Sequence, residues 1–120
     1  MSAQIVNHQE GILTVKISGR LSQTDLLAAQ KTVADELREQ GGSRVLFVAE
    51  NFQGWEKGGD WGDLSGQSEL DSYARRIAIV GEQRWKDLAL LFAGKGIRRV
   101  AIEYFLPPEL DKARAWLAAG

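Results

Sequence analysis

The side chains that most often carry catalysis are scarce in this chain. It has one histidine, His8, and no cysteine, which excludes thiol nucleophiles, disulfides and cysteine metal sites. A catalytic histidine needs a nucleophile or an orienting carboxylate beside it, and the sequence assigns neither to His8. Metal-binding motifs such as H-E-x-x-H are also missing from the sequence. We therefore expect no metal, no cofactor and no enzymatic activity.

Nucleotide and nucleic-acid binding are disfavoured as well. The pair Gly94-Lys95 lacks the upstream glycine and the following Ser or Thr of a phosphate-binding loop, and it follows a predicted helix instead of preceding one. The turn after Val80 lacks the three spaced glycines of a dinucleotide site. The net charge of −1 gives no general attraction to nucleic acid, so we expect no nucleic-acid partner.

Charge is unevenly distributed along the second half of the chain. Residues 50–71 hold six acidic residues and one lysine, and residues 75–99 hold seven basic and two acidic residues. Two converging carboxylates would be needed for acid–base catalysis, and spacing alone does not show convergence. A solvated surface of mixed charge, electrostatic docking between the two segments, and a basic patch that contacts lipid headgroups or a protein all fit this pattern.

Large apolar side chains cluster in a glycine-rich segment after a predicted strand, Val45–Ala49. This segment is predicted to be a loop, or lid, that continues into a weak helix at 60–72, where Gly62 and Gly66 reduce helix stability. Its rings either hold the loop against the core or line an apolar pocket at the carboxyl end of the sheet. The predicted ligand-binding residues are Phe52, Trp55, Trp61 and Leu64.

Periodicity predicts the other elements. Ser22 begins a helix at 22–40 with an apolar stripe, and helices follow at 83–93 and from 107, where Trp85 and Trp116 are expected to pack in the core. Strands are predicted at 4–8, 11–18, 76–80 and 97–105. The resulting order is ββαβαβαβα, a single α/β domain over residues 1–120. We expect a mostly parallel five-stranded sheet, with the first strand antiparallel and the helices mainly on one face.

Four segments are similar to the SpoIIAA-like proteins, relatives of STAS domains and anti-anti-sigma factors with a CRAL-TRIO-like architecture. The matching segments are Phe52-Gln-Gly-Trp55, Trp61-Gly-Asp-Leu64, Arg76-Ile-Ala-Ile-Val-Gly81 with Trp85, and Ala113-Arg-Ala-Trp-Leu117. The resemblance implies a cytoplasmic protein without established catalysis. It also implies an apolar cavity under the helix at 60–72, which opens at membranes.

One departure from the anti-anti-sigma pattern limits the resemblance. Those factors carry a phosphorylatable Ser or Thr directly after the third strand, whereas residues 50–54 here contain no hydroxyl. Ser65 falls later, inside the predicted weak helix. The phosphoserine switch is therefore not carried over, although the sequence does not decide whether Ser65 is ever phosphorylated.

Three functions compete on this basis. The first is binding of a lipid or another apolar small molecule, with transient peripheral membrane association. The second is a STAS-like protein–protein interaction regulator. The third is an enzyme that uses the acidic segment. Residues 1–10 show neither the basic nor the apolar region of a signal peptide, so we expect a cytoplasmic protein.

Overall fold

The computed structural model describes residues 3–9, 11–39, 41–55, 73–93 and 100–119. These residues form five strands and three α-helices. In chain order they are β1 (Ala3–Gln9), β2 (Ile12–Leu21), α1 (Gln23–Glu39), β3 (Ser43–Trp55), β4 (Ala74–Val80), α2 (Lys86–Ala93), β5 (Ala101–Phe105) and α3 (Leu110–Ala118). Short 3₁₀ turns at Gln83–Trp85 and Pro107–Glu109 lead into α2 and α3. The predicted helix at 60–72 lies outside the described residues.

The five described strands form one sheet in the order β1-β2-β3-β4-β5. β1 is antiparallel to β2, and each of the other strands is parallel to its neighbours. The predicted fold class is therefore confirmed, with the antiparallel strand at an edge. β5 begins at Ala101, later than the predicted start at residue 97, and residues 97–99 lie outside the described part.

The direction of strand addition explains where the helices lie. Because each parallel strand is added on the same side of the previous one, right-handed connections place the crossing helices on one face. We call this the front face and define it by Leu13, Val45 and Ile77. α1 packs there over β1 and β2, and α2 packs near β5. After β5 the chain turns back, and α3 covers the opposite, back face.

Each face of the sheet has its own core, as the alternation of side chains along the strands requires. The front core joins the sheet to Val33 and Leu37 of α1, and both side chains are completely buried. The back core joins the sheet to Ala113 and Leu117 of α3. The predicted start of α1 is confirmed, because the Ser22 hydroxyl oxygen accepts a hydrogen bond from the backbone N–H of Asp25 at 3.0 Å.

Two contacts attach α3 to the back face. The Arg76 guanidinium in β4 donates a 2.7 Å hydrogen bond to the backbone carbonyl of Trp116 and lies 4.7 Å from the centroid of the Trp116 ring. The ring of Phe105 lies 6.0 Å from the same indole. Trp116 is half-buried and packs against the back core, so its predicted packing role is confirmed.

Candidate functional site

The structure corrects the predicted boundary between the third strand and the loop. β3 does not end at Ala49 but continues to Trp55, still paired with β2. Polar residues at 50, 51 and 53 favoured a loop in the sequence. In the structure they belong to the strand, and their side chains are exposed to solvent. Phe52 therefore lies in the sheet and not on a lid, which overturns the predicted loop position for this residue.

An irregularity in the pairing of β2 with β3 determines where Phe52 points. Ile17 pairs with Ala49, and Gly19 pairs with Phe52, so β3 carries one extra residue between the two pairs. The extra residue is accommodated at Asn51, whose φ of 51° is in the left-handed region that asparagine tolerates. Without this bulge, strict alternation would direct Phe52 to the back face. With it, Phe52 packs on the front face.

Phe52 is part of a small apolar cluster at the carboxyl end of the front face. It is 6% exposed and packs with Leu21 and Ala29. The ring of Trp85 meets it edge-on, with centroids 5.3 Å apart and ring planes at 75°. Gly54 lies under the same indole: its φ is +101°, and a Cβ there would be 3.2 Å from Trp85 Cη2. The positive φ favours glycine here, and the indole leaves little room for a Cβ.

The burial of front-face side chains on the inner strands differs between the two ends of these strands. Val15, Val45 and Ile77 are at most 1% exposed. The next front-face residues toward the carboxyl ends of the same strands are only half-buried, although they are apolar and belong to inner strands. We call these residues the apolar strip: Ile17, Phe47, Ala49 and Ile79.

Register shows that the apolar strip is continuous across the sheet. Phe47 pairs with Ile79 on β4, and Ile17 pairs with Ala49 one step further along. Ile17 and Ala49 also pack against the Phe52 cluster, so the strip extends to Trp85. The strip thus forms an apolar floor about two rows deep at the carboxyl edge, where ligands commonly bind in open α/β sheets.

Tyr104 borders the apolar strip on β5. It pairs with Ile79, and its hydroxyl donates a 2.8 Å hydrogen bond to the backbone carbonyl of Glu82. Burial, and secondarily the nearby Glu82 carboxylate, raise the pKa of the Tyr104 hydroxyl to about 12. Gly81 leaves room for this hydroxyl, because a Cβ on Gly81 would be 2.5 Å from the Tyr104 oxygen and 3.4 Å from Ala49 Cβ.

The charged residues near the site are engaged with one another or with aromatic rings. The Arg84 guanidinium lies 4.7 Å from the centroid of the Trp85 ring and 3.6 Å from the Glu82 carboxylate. Glu50 forms a 3.0 Å ion pair with Lys16 on the back face, away from the apolar strip. Of the acidic residues at 50–71, Glu50 is thus the described one, and its carboxylate does not face the site.

The predicted ligand-binding residues are only partly described. Phe52 lies beside the apolar strip, and Trp55 ends β3, with its side chain outside the described part. Trp61, Leu64 and Ser65 also lie outside it. The side chain of His8 on β1 is likewise not described.

Sequence reasoning missed the apolar strip and Tyr104. The alternation of Ile17 and Tyr104 with residues of the opposite face predicted which face these two occupy. It gave no signal that the front-face residues in the carboxyl half of the inner strands would be less buried than those before them, because burial depends on packing between distant parts of the chain.

The described residues contain neither a metal-binding cluster nor a membrane-spanning helix. No three His, Asp or Glu side chains in that part of the chain are grouped so that they could hold a metal ion. None of the described helices is long and apolar enough to cross a membrane.

Comparison with known proteins agrees with this architecture. A family model described as SpoIIAA-like matches residues 12–118. Among solved structures, the chain is similar to an uncharacterized protein of the DUF3478 family with a SpoIIAA-like fold from Shewanella loihica PV-4. The TM-score is 0.69 at 19% identity, over 96% of this chain and 91% of that one. No curated protein matches the sequence. Because the family model matches nearly the whole length, the chain belongs to the SpoIIAA-like family.

Proposed function

We propose that this protein is a non-enzymatic, cytoplasmic binding module for a lipid or another apolar small molecule, which lies on the apolar strip. The observation that supports this proposal is the half-burial of Phe47, Ala49 and Ile79 on the front face of inner strands. Inner strands of a parallel sheet are normally covered on both faces. Each ligand methylene removed from water there would contribute about 0.8 kcal/mol.

The side walls of the proposed site suit an alkyl chain. The cluster of Phe52 and Trp85 borders one end of the strip, and Ile17 continues the floor toward β2. Trp55, Trp61 and Leu64 remain proposed contacts on the basis of the sequence alone.

A substitution that fills the space above the floor tests this proposal. Ala49→Leu adds three carbon atoms directly over the strip, and Ala115→Leu adds the same atoms at an exposed position of α3 as the matched control. If the space above Ala49 receives a ligand, Ala49→Leu weakens binding of a fatty acid at least tenfold and leaves the unfolding midpoint within a few degrees. The Ala115→Leu variant binds as the wild type does.

Tryptophan emission and native mass spectrometry provide the measurement. The protein is titrated with fatty acids and single-chain lipids of 8 to 16 carbons, and freshly purified protein is checked for a retained ligand. No binding across this panel would refute the proposal. A loss of about 1–3 kcal/mol in stability on Ala49→Leu, the usual cost of overpacking a filled core, would also count against it.

We extend the proposal to transient membrane contact, motivated by the tryptophan-bearing, glycine-weakened helix predicted at 60–72. Cosedimentation with phospholipid vesicles tests this extension separately. Vesicle binding that is unchanged by Trp61→Ala would refute the part assigned to that helix.

A STAS-like protein–protein interaction role is the second candidate. It is favoured by two exposed apolar side chains on the edge strand β1, Ile5 at 36% and Val6 at 53% exposure. A partner captured by the wild type and by Ala49→Leu, but lost with Val6→Asp, would support this role over ligand binding. Capture that is equal for all three proteins would refute it.

A further inference from the structure

We propose that the Tyr104 hydroxyl accepts a hydrogen bond from the ligand, so that the polar end of the ligand is an O–H or N–H donor, as in a long-chain alcohol, and not the carboxylate of a fatty-acid anion. This inference rests on the proposed function and names the chemistry at one end of the same site. It is carried by the position of the hydroxyl relative to the apolar strip and by the direction of the hydrogen bond that the hydroxyl already makes.

The position follows from the register of the sheet. Tyr104 pairs with Ile79, so its ring extends the row of front-face side chains that contains Phe47. Its hydroxyl lies over Gly81, next to Ala49, as the short distances to a hypothetical Gly81 Cβ show. A polar atom is thus held in place at the border of an apolar floor, which is the arrangement that orients an amphiphile.

Because of its existing hydrogen bond, the Tyr104 hydroxyl can act only as an acceptor toward a ligand. The Glu82 carbonyl can only accept, so the Tyr104 proton is committed to it at 2.8 Å. The lone pairs of the Tyr104 oxygen remain, and they accept hydrogen bonds. The hydroxyl is protonated at neutral pH, and its raised pKa of about 12 keeps it protonated in alkaline buffers as well. A ligand group that meets this oxygen must therefore bring its own O–H or N–H.

Charge around the hydroxyl disfavours an anionic headgroup. The Glu82 carboxylate is close enough to contribute to the raised pKa of Tyr104. Arg84 is the cation beside it, and its guanidinium is placed between the Glu82 carboxylate and the Trp85 ring. An alcohol supplies the required donor without adding a negative charge beside Glu82, whereas a deprotonated fatty acid supplies no donor at all.

Three ligands with the same alkyl chain separate these chemistries: 1-dodecanol, dodecyl methyl ether and dodecanoate at pH 8. The ether keeps the oxygen of the alcohol and loses its donor proton. We expect wild-type protein to bind the alcohol about two- to tenfold more tightly than the ether, the worth of one hydrogen bond. We expect dodecanoate to bind more weakly than the alcohol. In Tyr104→Phe, which keeps the ring, the preference for alcohol over ether disappears.

Each outcome of this comparison bears on the inference. Equal binding of alcohol and ether to the wild type overturns it without touching the proposed function, as does a preference that survives in Tyr104→Phe. Tighter binding of dodecanoate overturns it and points to Arg84 as the headgroup contact. Binding of none of the three ligands removes the proposed function itself. The alcohol–ether comparison on the wild type stands even if Tyr104→Phe folds poorly.

Discussion

The close approach of Gly81 to the Tyr104 hydroxyl gives a sharp prediction about stability. Substitution Gly81→Ala places a Cβ 2.5 Å from the hydroxyl oxygen, a separation that packed atoms do not sustain. The φ of Gly81 is not in the left-handed region, so the backbone accepts alanine and the whole effect comes from this contact. To relieve it, the tyrosine must move by roughly 1 Å, which breaks the 2.8 Å hydrogen bond to the Glu82 carbonyl.

The expected cost is the balance of three terms. Loss of the hydrogen bond lowers the free energy of unfolding by about 0.5–1.5 kcal/mol. Crowding of a packed site adds roughly 1–3 kcal/mol when the neighbours relax incompletely. Replacing glycine by alanine raises the free energy of unfolding by about 0.4–1 kcal/mol, because the unfolded chain has less conformational entropy. We therefore expect Gly81→Ala to lower the free energy of unfolding by about 0.5–4 kcal/mol, with a central value near 2 kcal/mol that corresponds to a fall of roughly 8 °C in the unfolding midpoint for a domain of this size.

The double variant with Tyr104→Phe isolates the contact. Without the hydroxyl, the nearest atoms to the new Cβ are the ring carbon of residue 104 and the Ala49 Cβ, both at 3.4 Å, which is an ordinary contact. In the Tyr104→Phe background, Gly81→Ala should therefore be neutral or slightly stabilising. Urea unfolding of the four proteins, followed by circular dichroism, gives the coupling free energy. Equal destabilisation by Gly81→Ala in both backgrounds would refute the reasoning.

Two further predictions concern the back face and pH. Arg76→Ala should lower the free energy of unfolding by about 1–2 kcal/mol, because it removes both the hydrogen bond to the Trp116 carbonyl and the stacking on its ring. Arg76→Lys should recover little of this loss, and Arg75→Ala, at an exposed neighbour, serves as the control; equal effects at both positions in chemical denaturation would contradict the assignment. The pKa of Tyr104 is raised in the folded protein to about 12 from 10.0, so the unfolded chain ionises first and stability should fall as pH rises from about 10 to 12. Tyr104→Phe should flatten that fall in urea titrations, and an unchanged slope would show that other groups cause it.

Local sequence signals were sufficient to predict an element whose boundaries and buried face are set by residues of that element itself. α1 was predicted within a residue at each end, since Ser22 caps its first turn and the stripe containing Val33 and Leu37 faces the core. The parallel order and the single antiparallel edge strand also followed from the alternation of strand and helix patterns. In each case the decisive interactions lie within a few residues along the chain or follow from the handedness of the connections.

Local signals failed where pairing with a distant strand overrides them. Residues 50–54 have the composition of a loop, yet β2 continues beside them, and the bulge at Asn51 lets β3 bend and remain paired. That bulge turns Phe52 toward the front face. A bulge is an extra residue in one of two paired strands, so it depends on both strands, and no local pattern in the sequence specifies it.

The amino-acid sequence by itself determined the class of fold, the order of its elements and the lack of a cysteine or a recognisable catalytic motif, because composition and periodicity are properties of the chain. Only the tertiary structure decided which apolar side chains are fully buried and which remain partly exposed. Val45 and Phe47 are equally apolar neighbours on one face of β3, but one is sealed and the other half-buried. The difference depends on how the folded chain packs around each side chain, which spacing along the sequence does not encode.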